Sequence, residues 1–342
     1  MGNFATWLNT ATLPEFSDLV MKGFSHQREL IQPVAAQCFI QEDLTGWNSN
    51  TKRYDEVDVQ TFARLKREGE NALRAKAGVG YTKTMTARRY AMEINVSWEF
   101  RRYSQQYATQ VQSDMKSLRD FIPQRFELNL SHVFTFASAT SYTDMDGETI
   151  TTSTGDGLAL ASASHTLQHS GSTYTNIVSG NPSVSQGALE AAESLFVSDI
   201  LSNFGERRVL MANKIVTADD PTTMRAVRQI LESTADIDAA HEGVVNTYKG
   251  KYSHVALPYL ATSATGARDA TKKKYWFLLA QYGSPQNSWQ SYYGVFENEN
   301  LKVPAPGNNG EDFSNDDWLY GTRGSMGQVT LSARGLVCSL AT

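Results

Sequence analysis

Cysteine and long apolar runs are both scarce in this sequence of 342 residues. Cys38 and Cys338 are its only cysteines, and two residues so far apart form neither a disulfide framework nor a zinc-binding pattern. A reducing compartment is the simple interpretation of so few cysteines. No apolar run approaches the roughly 18 residues of a membrane-spanning helix, and the first 30 residues lack the apolar core of a signal peptide. The sequence therefore predicts no membrane partner.

Signatures of enzyme chemistry are also missing. His165 and His169 have the i,i+4 spacing of a zinc-protease helix, but they lie in polar, loop-like sequence without the glutamate that follows the first histidine. Gly78-Val79-Gly80 lacks the third glycine of a dinucleotide-binding fingerprint, which favours a turn. No nucleophile–base–acid set stands out among the many Ser, Asp and His residues. We therefore predict no catalytic residue, no metal and no cofactor, with a soluble enzyme of unknown class kept as an alternative.

The clearest positive signal is a long amphipathic stripe between Phe100 and Ala137. Its apolar residues recur every three or four positions, which is the spacing of one helix face. About 40 residues at 1.5 Å each would span roughly 60 Å, the length of a structural strut. Pro123 predicts a kink rather than an end, because proline removes one backbone donor and crowds the carbonyl four residues back. The stripe comprises Phe100, Tyr103, Tyr107, Val111, Met115, Leu118, Ile122, Phe126, Leu130, Val133 and Ala137.

The net charge of −5 is unevenly distributed along the chain. Residues 52–102 contain 12 Lys and Arg against 7 Asp and Glu, a net +5, whereas the rest contains 19 against 29, a net −10. Within this basic segment, residues 59–74 predict a short helix and residues 81–97 a strand, around a glycine-rich tip at residues 78–80. Such a basic hairpin could attract neighbouring subunits or nucleic acid, and a merely solvated charged surface is the alternative.

The rest of the chain mixes helices and strands without regular βαβ spacing, which predicts the α+β class. Residues 139–185 are rich in Ser, Thr and Gly and indicate loops and short strands. Helices are predicted from Ser185 and from Asp220-Pro221, where Asp suits the N-cap and Pro the first helical position. Strands are predicted at residues 208–212, 253–257, 275–280 and 327–340.

The order of short motifs over residues 156–280 resembles that of tailed-bacteriophage major capsid proteins. Asp156-Gly157 is followed by an apolar and small-residue run that ends at His165, and then by residues 173–176, which end in Thr-Asn. Next come an amphipathic helix at 189–204, a strand and helix at 209–233, Asn246, a Val-rich strand ending in Pro258, and an aromatic strand at 275–278. Within the family, the motif order resembles the Mu-like major head subunit branch. Residues 208–213 depart from the family pattern because they lack its usual prolines.

The resemblance implies the shell fold that tailed phages share with encapsulins and the herpesvirus floor. In this fold His165 would pack or hydrogen-bond in the peripheral sheet and would not be catalytic. The implied segments are an N-terminal arm at 1–46, an extended loop at 47–97, a peripheral domain with the spine helix at 98–184, an axial domain at 185–320, and a return strand to the peripheral domain at 321–342.

The function implied by the resemblance is that of a major capsid (head) protein. Its copies would form hexamers and pentamers of an icosahedral shell around double-stranded DNA, without sequence-specific DNA binding, in a virion capsid assembled in the bacterial host cytoplasm. Portal and possible decoration proteins would be partners. A separate scaffolding protein is expected, because about 46 residues before the loop leave no room for a long helical prodomain. The alternative is an encapsulin-like nanocompartment shell that encloses cargo enzymes.

Basic residues of the extended loop are the candidate inter-subunit contacts. Arg64, Lys66 and Arg67 are expected on its outgoing limb, and Arg88 and Arg89 on its returning limb. We expect these side chains to lie over an acidic neighbour. The acidic candidates are Glu297, Glu299, Asp316 and Asp317, which the sequence does not pair with individual basic residues.

Overall fold

The structure is a computed structural model that describes residues 33–59, 62–72, 74, 77–103, 107–207, 210–234, 245–281, 289–302 and 318–342. Helices and strands intermix, and the α+β class is confirmed. The helices are α1 (Trp98–Tyr103), α2 (Tyr107–Thr135), α3 (Gln186–Ser198) and α4 (Pro221–Glu232). The strands are β1 (Ile40–Asp43), β2 (Thr51–Val59), β3 (Ala77–Thr86), β4 (Arg88–Val96), β5 (Ser141–Thr143), β6 (Thr149–Thr151), β7 (His165–Thr166), β8 (Thr173–Tyr174), β9 (Lys214–Ala218), β10 (Ser253–Leu257), β11 (Trp276–Leu279), β12 (Gln290–Lys302), β13 (Trp318–Ser332) and β14 (Leu336–Ser339).

Sheet 1 has the strand order β1-β12-β13-β4. The long strands β12 and β13 pair antiparallel, β4 pairs antiparallel with β13, and β1 runs parallel to β12. Helix α2 packs on this sheet so closely that a side chain at Gly324 of β13 would lie 2.8 Å from Ile122 Cγ2. Glycine at this position therefore lets the helix approach the sheet.

Sheet 2 has the strand order β10-β9-β11-β14, in which β11 and β14 are buried on both faces and the edge strand β10 is partly exposed. One face, with Val216, Phe277 and Leu336, shares a core with α2 and sheet 1. The opposite face, with Trp276 and Leu278, packs in a second core with α3 and α4. Burial on two faces explains why β11 is a continuous apolar run rather than an alternating one.

The spine helix is confirmed as a helical region but differs from the predicted stripe. Helical structure covers Trp98–Tyr103 and Tyr107–Thr135, it passes through Pro123, and residues 104–106 lie outside the described part. The single-face interpretation is wrong for residues 126–135, which are buried all round because sheet 1 and the 259–262 loop enclose them. Polar Glu127 and His132 are therefore buried beside the apolar residues.

Two predicted strands are wrong in their bounds. Of the strand predicted at 208–212, residues 208 and 209 lie outside the described part and residues 210–212 are not in a strand. The strand is Lys214–Ala218, because Ile215 to Ala218 is the run that both cores bury. The single strand at 327–340 is two strands, and Gly335, with φ of 88°, lies in the turn that takes the chain from sheet 1 to sheet 2. The last strand, β14, pairs with β11 in sheet 2. The five-segment domain division stays a prediction.

Other local predictions are confirmed. Helix α3 begins after its N-cap Ser185, and α4 begins at Pro221 after its N-cap Asp220. Strands β10 and β11 coincide with the predicted 253–257 and 275–280 segments. The Ser-, Thr- and Gly-rich stretch forms loops and the short pairs β5–β6 and β7–β8. Among the described residues, no helix combines the length and the apolar character needed to cross a bilayer.

Candidate inter-subunit surface

The extended loop contains a two-stranded ribbon, formed by β2 and β3 paired antiparallel. At about 3.3 Å per residue, nine residues of β2 span roughly 30 Å. The base of the ribbon, at Thr51 and Thr86, is continuous with sheet 1 because a single residue separates the end of β3 from the start of β4. The far end of the ribbon, at Val59 and Ala77, is its tip.

The base is fixed by apolar packing. The side chain of Met85 is fully buried and enters a notch made by Gly294 and Gly327, which face each other across β12 and β13. A side chain at Gly327 would lie 2.6 Å from Met85 Cγ, so the notch requires glycine there. Tyr54 adds to this contact by stacking on Tyr292, with ring centroids 4.3 Å apart.

A polar group flanks the base. The Tyr54 hydroxyl donates to Glu42 Oε2 at 2.5 Å, and Lys52 Nζ pairs with the same oxygen at 2.5 Å. Burial, followed by the adjacent Glu42 carboxylate, raises the pKa of Tyr54. Farther along β3, Lys83 Nζ donates to the Ser153 hydroxyl at 3.1 Å, and burial lowers its pKa to about 8. These contacts hold the base to the body on both strands.

A β-bulge separates the base from the tip. Asp55 pairs with Thr82 and Val57 pairs with Val79, so that Gly80 and Tyr81 of β3 lie opposite the single residue Glu56. A bulge leaves one residue unpaired and bends the strand. The ribbon therefore has two sections of regular pairing with an irregular joint between them.

The tip is fixed by buried charges, which we call the tip anchor (Glu56, Asp58, Asn203 and Arg334). The Arg334 guanidinium pairs with Glu56, and its Nη1 lies 3.2 Å from Asp58 Oδ2. The same Asp58 oxygen accepts the backbone N–H of Asn203 at 2.9 Å. All four side chains are buried. Burial lowers the pKa of Arg334 to about 10, so this residue is a cation at neutral pH.

Glycine also lets the tip approach the body. A side chain at Gly78 would lie 2.4 Å from His169 Nε2, and one at Gly80 would lie 2.5 Å from Glu56 Oε2. The predicted glycine-rich turn is therefore wrong, because residues 78–80 lie within β3 and pack against the body. The chain reverses between Val59 and Ala77 instead.

The end segment, residues 62–72, lies beyond the tip, and every residue in it is exposed. It contains no helix, so the helix predicted at 59–74 is wrong for the described residues. Short helices depend on burying an apolar face, and here Phe62 and Leu65 are 60% and 85% exposed. Strand β2 also extends to Val59, and Gly69 turns the chain with φ of 80°.

The five candidate basic residues fall into two groups. Arg64, Lys66 and Arg67 are in the end segment, and within the described part of the chain no ion pair joins them to another residue. Arg88 and Arg89 begin β4, at the opposite end of the ribbon. Arg89 Nε lies 3.8 Å from Glu297 Oε2, and Arg323 Nε lies 2.8 Å from Glu297 Oε1. Glu297 is thus a partner within the same chain, Glu299 lies on β12, and Asp316 and Asp317 lie outside the described residues.

The two loop histidines do not form a metal site. His165 is buried, its Nδ1 donates to Asp156 Oδ2 at 2.7 Å, and its Nε2 faces the Leu160 carbonyl at 3.2 Å. Burial would raise the pKa of Asp156, but hydrogen bonds from His165 and Thr154 outweigh it and lower the pKa to about 2. His169 stacks on Phe204 with ring centroids 4.8 Å apart. Among the described residues, no group of three or more His, Cys, Asp or Glu side chains could hold a metal ion.

Sequence reasoning missed the tip anchor and the Met85 notch. Tyr54, Glu56 and Asp58 share the buried face of β2, but two carboxylates on a strand face give no hydrophobic signal. Arg334 lies 276 residues from Asp58, in a part of the chain interpreted as an apolar strand. The one available signal was the pair of glycines in β12 and β13, which marks close approach within a strand.

Comparison with known proteins gives matches to solved structures alone. No family model and no curated protein matches the chain. Its structure is similar to one from Microbacterium phage Oxtober96, with 12% identity over 90% of this chain and 91% of that chain, and a TM-score of 0.49. It is also similar to one from Mycobacterium phage Adephagia, with 10% identity over 90% of each chain and a TM-score of 0.48. The capsid of Myoviridae phage XM1 gives 11% identity over 89% of this chain and 90% of that chain, and a TM-score of 0.46.

Proposed function

We propose that this chain is a tailed-phage major capsid protein, whose copies assemble into a closed shell. The observation that carries the proposal is the exposed end segment. Leu65 is 85% exposed and Phe62 is 60% exposed, and both are close in sequence to three basic residues at the end of a ribbon about 30 Å long. Exposed apolar side chains of this kind mark interaction sites when they cluster. A neighbouring copy can cover them, as the motif order over residues 156–280 also implies.

The rest of the architecture supports a shell subunit. Helix α2, with 29 residues, is about 43 Å long and is built into the core between the two sheets. Its rigidity would fix the ribbon relative to sheet 2, since the ribbon is seated on the sheet that α2 covers. In the proposed shell, six or five such subunits surround a common centre, and the Mu-like branch is one specific form of the proposal.

Partners and contents follow from the same proposal. A separate scaffolding protein, a portal and possible decoration proteins would act with the shell, in a virion capsid assembled in the host cytoplasm. Because the net charge is −5, we expect double-stranded DNA to be confined rather than tightly bound, since tight binding needs many cationic contacts to phosphate. Shells that contain protein cargo and no DNA would instead favour the encapsulin-like alternative.

Light scattering and negative-stain microscopy of the purified chain, alone and with a candidate scaffold, test assembly. We expect shells, tubes or ring-like capsomers. A double variant, Phe62→Ser with Leu65→Ser, should abolish them while the circular dichroism of the subunit is unchanged. Met211→Ser, which changes an exposed apolar residue outside the ribbon, is the matched control and should assemble normally. A compact monomer at every concentration would contradict the proposal. Normal shells from the double variant would instead show that the apolar side chains of the end segment are not needed for assembly.

A further inference from the structure

The ribbon is attached to the body in two regions, its base and its tip, and the main contacts of the two regions differ in chemistry. At the base, Met85 is enclosed by the glycine notch, and Tyr54 and Val329 belong to the same apolar cluster. At the tip, the contact depends on the buried charges of the tip anchor. Apolar burial of this extent contributes stability directly, whereas a buried ion pair gains little over its desolvation cost. The base is therefore the stronger attachment.

The tip anchor also contains an unsatisfied polar group and a small cavity. It places the carboxylates of Glu56 and Asp58 against the Arg334 guanidinium. Asn203 Nδ2 is buried and has no hydrogen-bond partner among the described residues. A cavity of about 10 Å³ has Glu56, Asn203 and Arg334 in its lining. Buried polar groups that are only partly satisfied lose much of the gain of a complete network.

The bulge lies between the two attachments. It places Gly80 and Tyr81 opposite Glu56, so that regular pairing is interrupted where the base section ends. Glycine tolerates a wider range of backbone angles than other residues, and bulges bend the strand that contains them. Tyr81 contributes one more contact to the body, a hydrogen bond from its hydroxyl to the Thr166 carbonyl at 3.2 Å.

We propose that the tip of the ribbon is a hinged element, which pivots at the Glu56–Gly80 bulge and which Arg334 holds in the closed position against its own subunit. In the open position Met85 stays in the glycine notch at the base. At the tip, the Asp58 carboxylate no longer accepts the backbone N–H of Asn203. The end segment then changes its direction relative to the body. A role for this movement in assembly rests on the proposed shell function, whereas the hinge itself does not.

Hydrogen–deuterium exchange of the unassembled subunit tests the hinge. In the natural chain the amides of residues 57–59 and 77–80 should exchange faster than those of 52–54 and 83–85. In Arg334→Leu the tip amides should exchange at least about 10-fold faster, and the base amides should change less than about two-fold, because local opening governs exchange. Arg323→Leu removes a guanidinium that pairs with Glu297 on sheet 1, away from the tip anchor, and is the matched control.

A second variant tests the hinge if Arg334→Leu fails to fold, because Arg334→Leu leaves two carboxylates buried. Gly80→Ala places a methyl group against Glu56 and Asn203 without removing a charge. It should raise tip exchange about three-fold or more, while Gly46→Ala, which has open space around it, should not. Unchanged tip exchange in both variants, or equal acceleration of tip and base, would overturn the hinge.

The hinge and the shell function fail separately. If the exchange results agree with the hinge and no particle forms under any condition, the hinge stands and the shell proposal is wrong. If particles form and the tip exchanges like the base in every variant, the shell proposal stands and the hinge is wrong. Where both hold, Arg334→Leu should form particles of altered shape or in at least about 10-fold lower yield than Arg323→Leu.

Discussion

Sheet 2 and the ribbon hold their strands in place in different ways. Sheet 2 lies between two apolar cores, and Trp276, Phe277, Leu278 and Leu279 are all fully buried. The ribbon has one attached side, with Met85 at its base and a group of charges at its tip. Burial on two faces fixes every residue of a strand, whereas attachment at two points leaves the remaining residues exposed for contact with other molecules. The body and the ribbon are thus stabilised by different kinds of interaction.

The largest expected effect on stability comes from removing a buried apolar side chain from sheet 2. Phe277 is fully buried, and its ring centroid lies 5.0 Å from that of Phe134 on α2. Phe277→Ala should lower the free energy of unfolding by ~3–5 kcal/mol, because it removes buried apolar surface and leaves a cavity. Urea denaturation of the unassembled subunit measures this effect. Phe62→Ala in the end segment is the control and should change the value by less than about 0.5 kcal/mol.

A second prediction concerns acid stability at the junction of α2 with its surrounding loops. His132 is fully buried, and its nitrogens face the Tyr142 hydroxyl at 3.3 Å and Thr262 Oγ1 at 3.2 Å. Burial, and then the charges of Lys272 and Arg125, lower the pKa of His132 from 6.5 to about 4. The folded state therefore favours the neutral ring more than the unfolded state does.

The sign of the pH effect follows from that shift. The stability contributed by neutral His132 is complete above about pH 6.5 and is lost as the pH falls towards 4, at about 1.4 kcal/mol per pH unit. His132→Gln should be less stable at pH 7 but should show a shallower loss between pH 6.5 and 4. Equal slopes for the two chains in urea denaturation would contradict this prediction.

A third prediction sharpens the comparison at the base of the ribbon. Gly327→Ala should destabilise the subunit by ~1–3 kcal/mol, because the new methyl group would lie 2.6 Å from Met85 Cγ. Met85→Ala in the same chain should recover part of that loss, since the two residues share one cavity. Denaturation of the two single variants and the double variant measures the coupling. Additive losses would show that the notch does not depend on the Met85 side chain.

The sequence predicted the features that depend on local chemistry. Ser185 accepts the Ala188 N–H at 3.2 Å as the N-cap of α3, and Asp220 accepts those of Thr222 and Thr223 for α4. These contacts involve neighbours in the chain, and Pro221 marks the start of its helix. The apolar run of β11 was equally visible, because its burial on both faces requires four consecutive apolar residues.

The ribbon was harder to predict because its contacts are distant in sequence. Glu56 and Asp58 are charged, so their burial depends on Arg334 and gives no hydrophobic alternation. Residues 59–74 favour a helix by composition, but within the described part of the chain Leu65 is 85% exposed and no neighbour covers it. Arg88 and Arg89 belonged to the same basic segment in sequence, but the chain returns them to sheet 1, where Arg89 faces Glu297.

The smallest effect on the subunit, and the sharpest test of the surface, comes from reversing charge in the two basic groups. Arg64, Lys66 and Arg67 reversed to Glu should leave the melting of the unassembled subunit unchanged, since all three are exposed. Arg88 and Arg89 reversed to Glu should cost ~0.2–1 kcal/mol, because Arg89 faces Glu297 at the sheet surface. In a shell, each lost contact is repeated at every subunit, so the first variant should stop assembly and the second should weaken it less.

Raising salt should partly mimic the first variant, because exposed charges are screened within about 8 Å at physiological ionic strength. Particle yield by light scattering, with a matched triple change to Gln, separates charge reversal from loss of charge. Normal assembly of the Glu triple variant would show that the end segment's charge serves solubility alone.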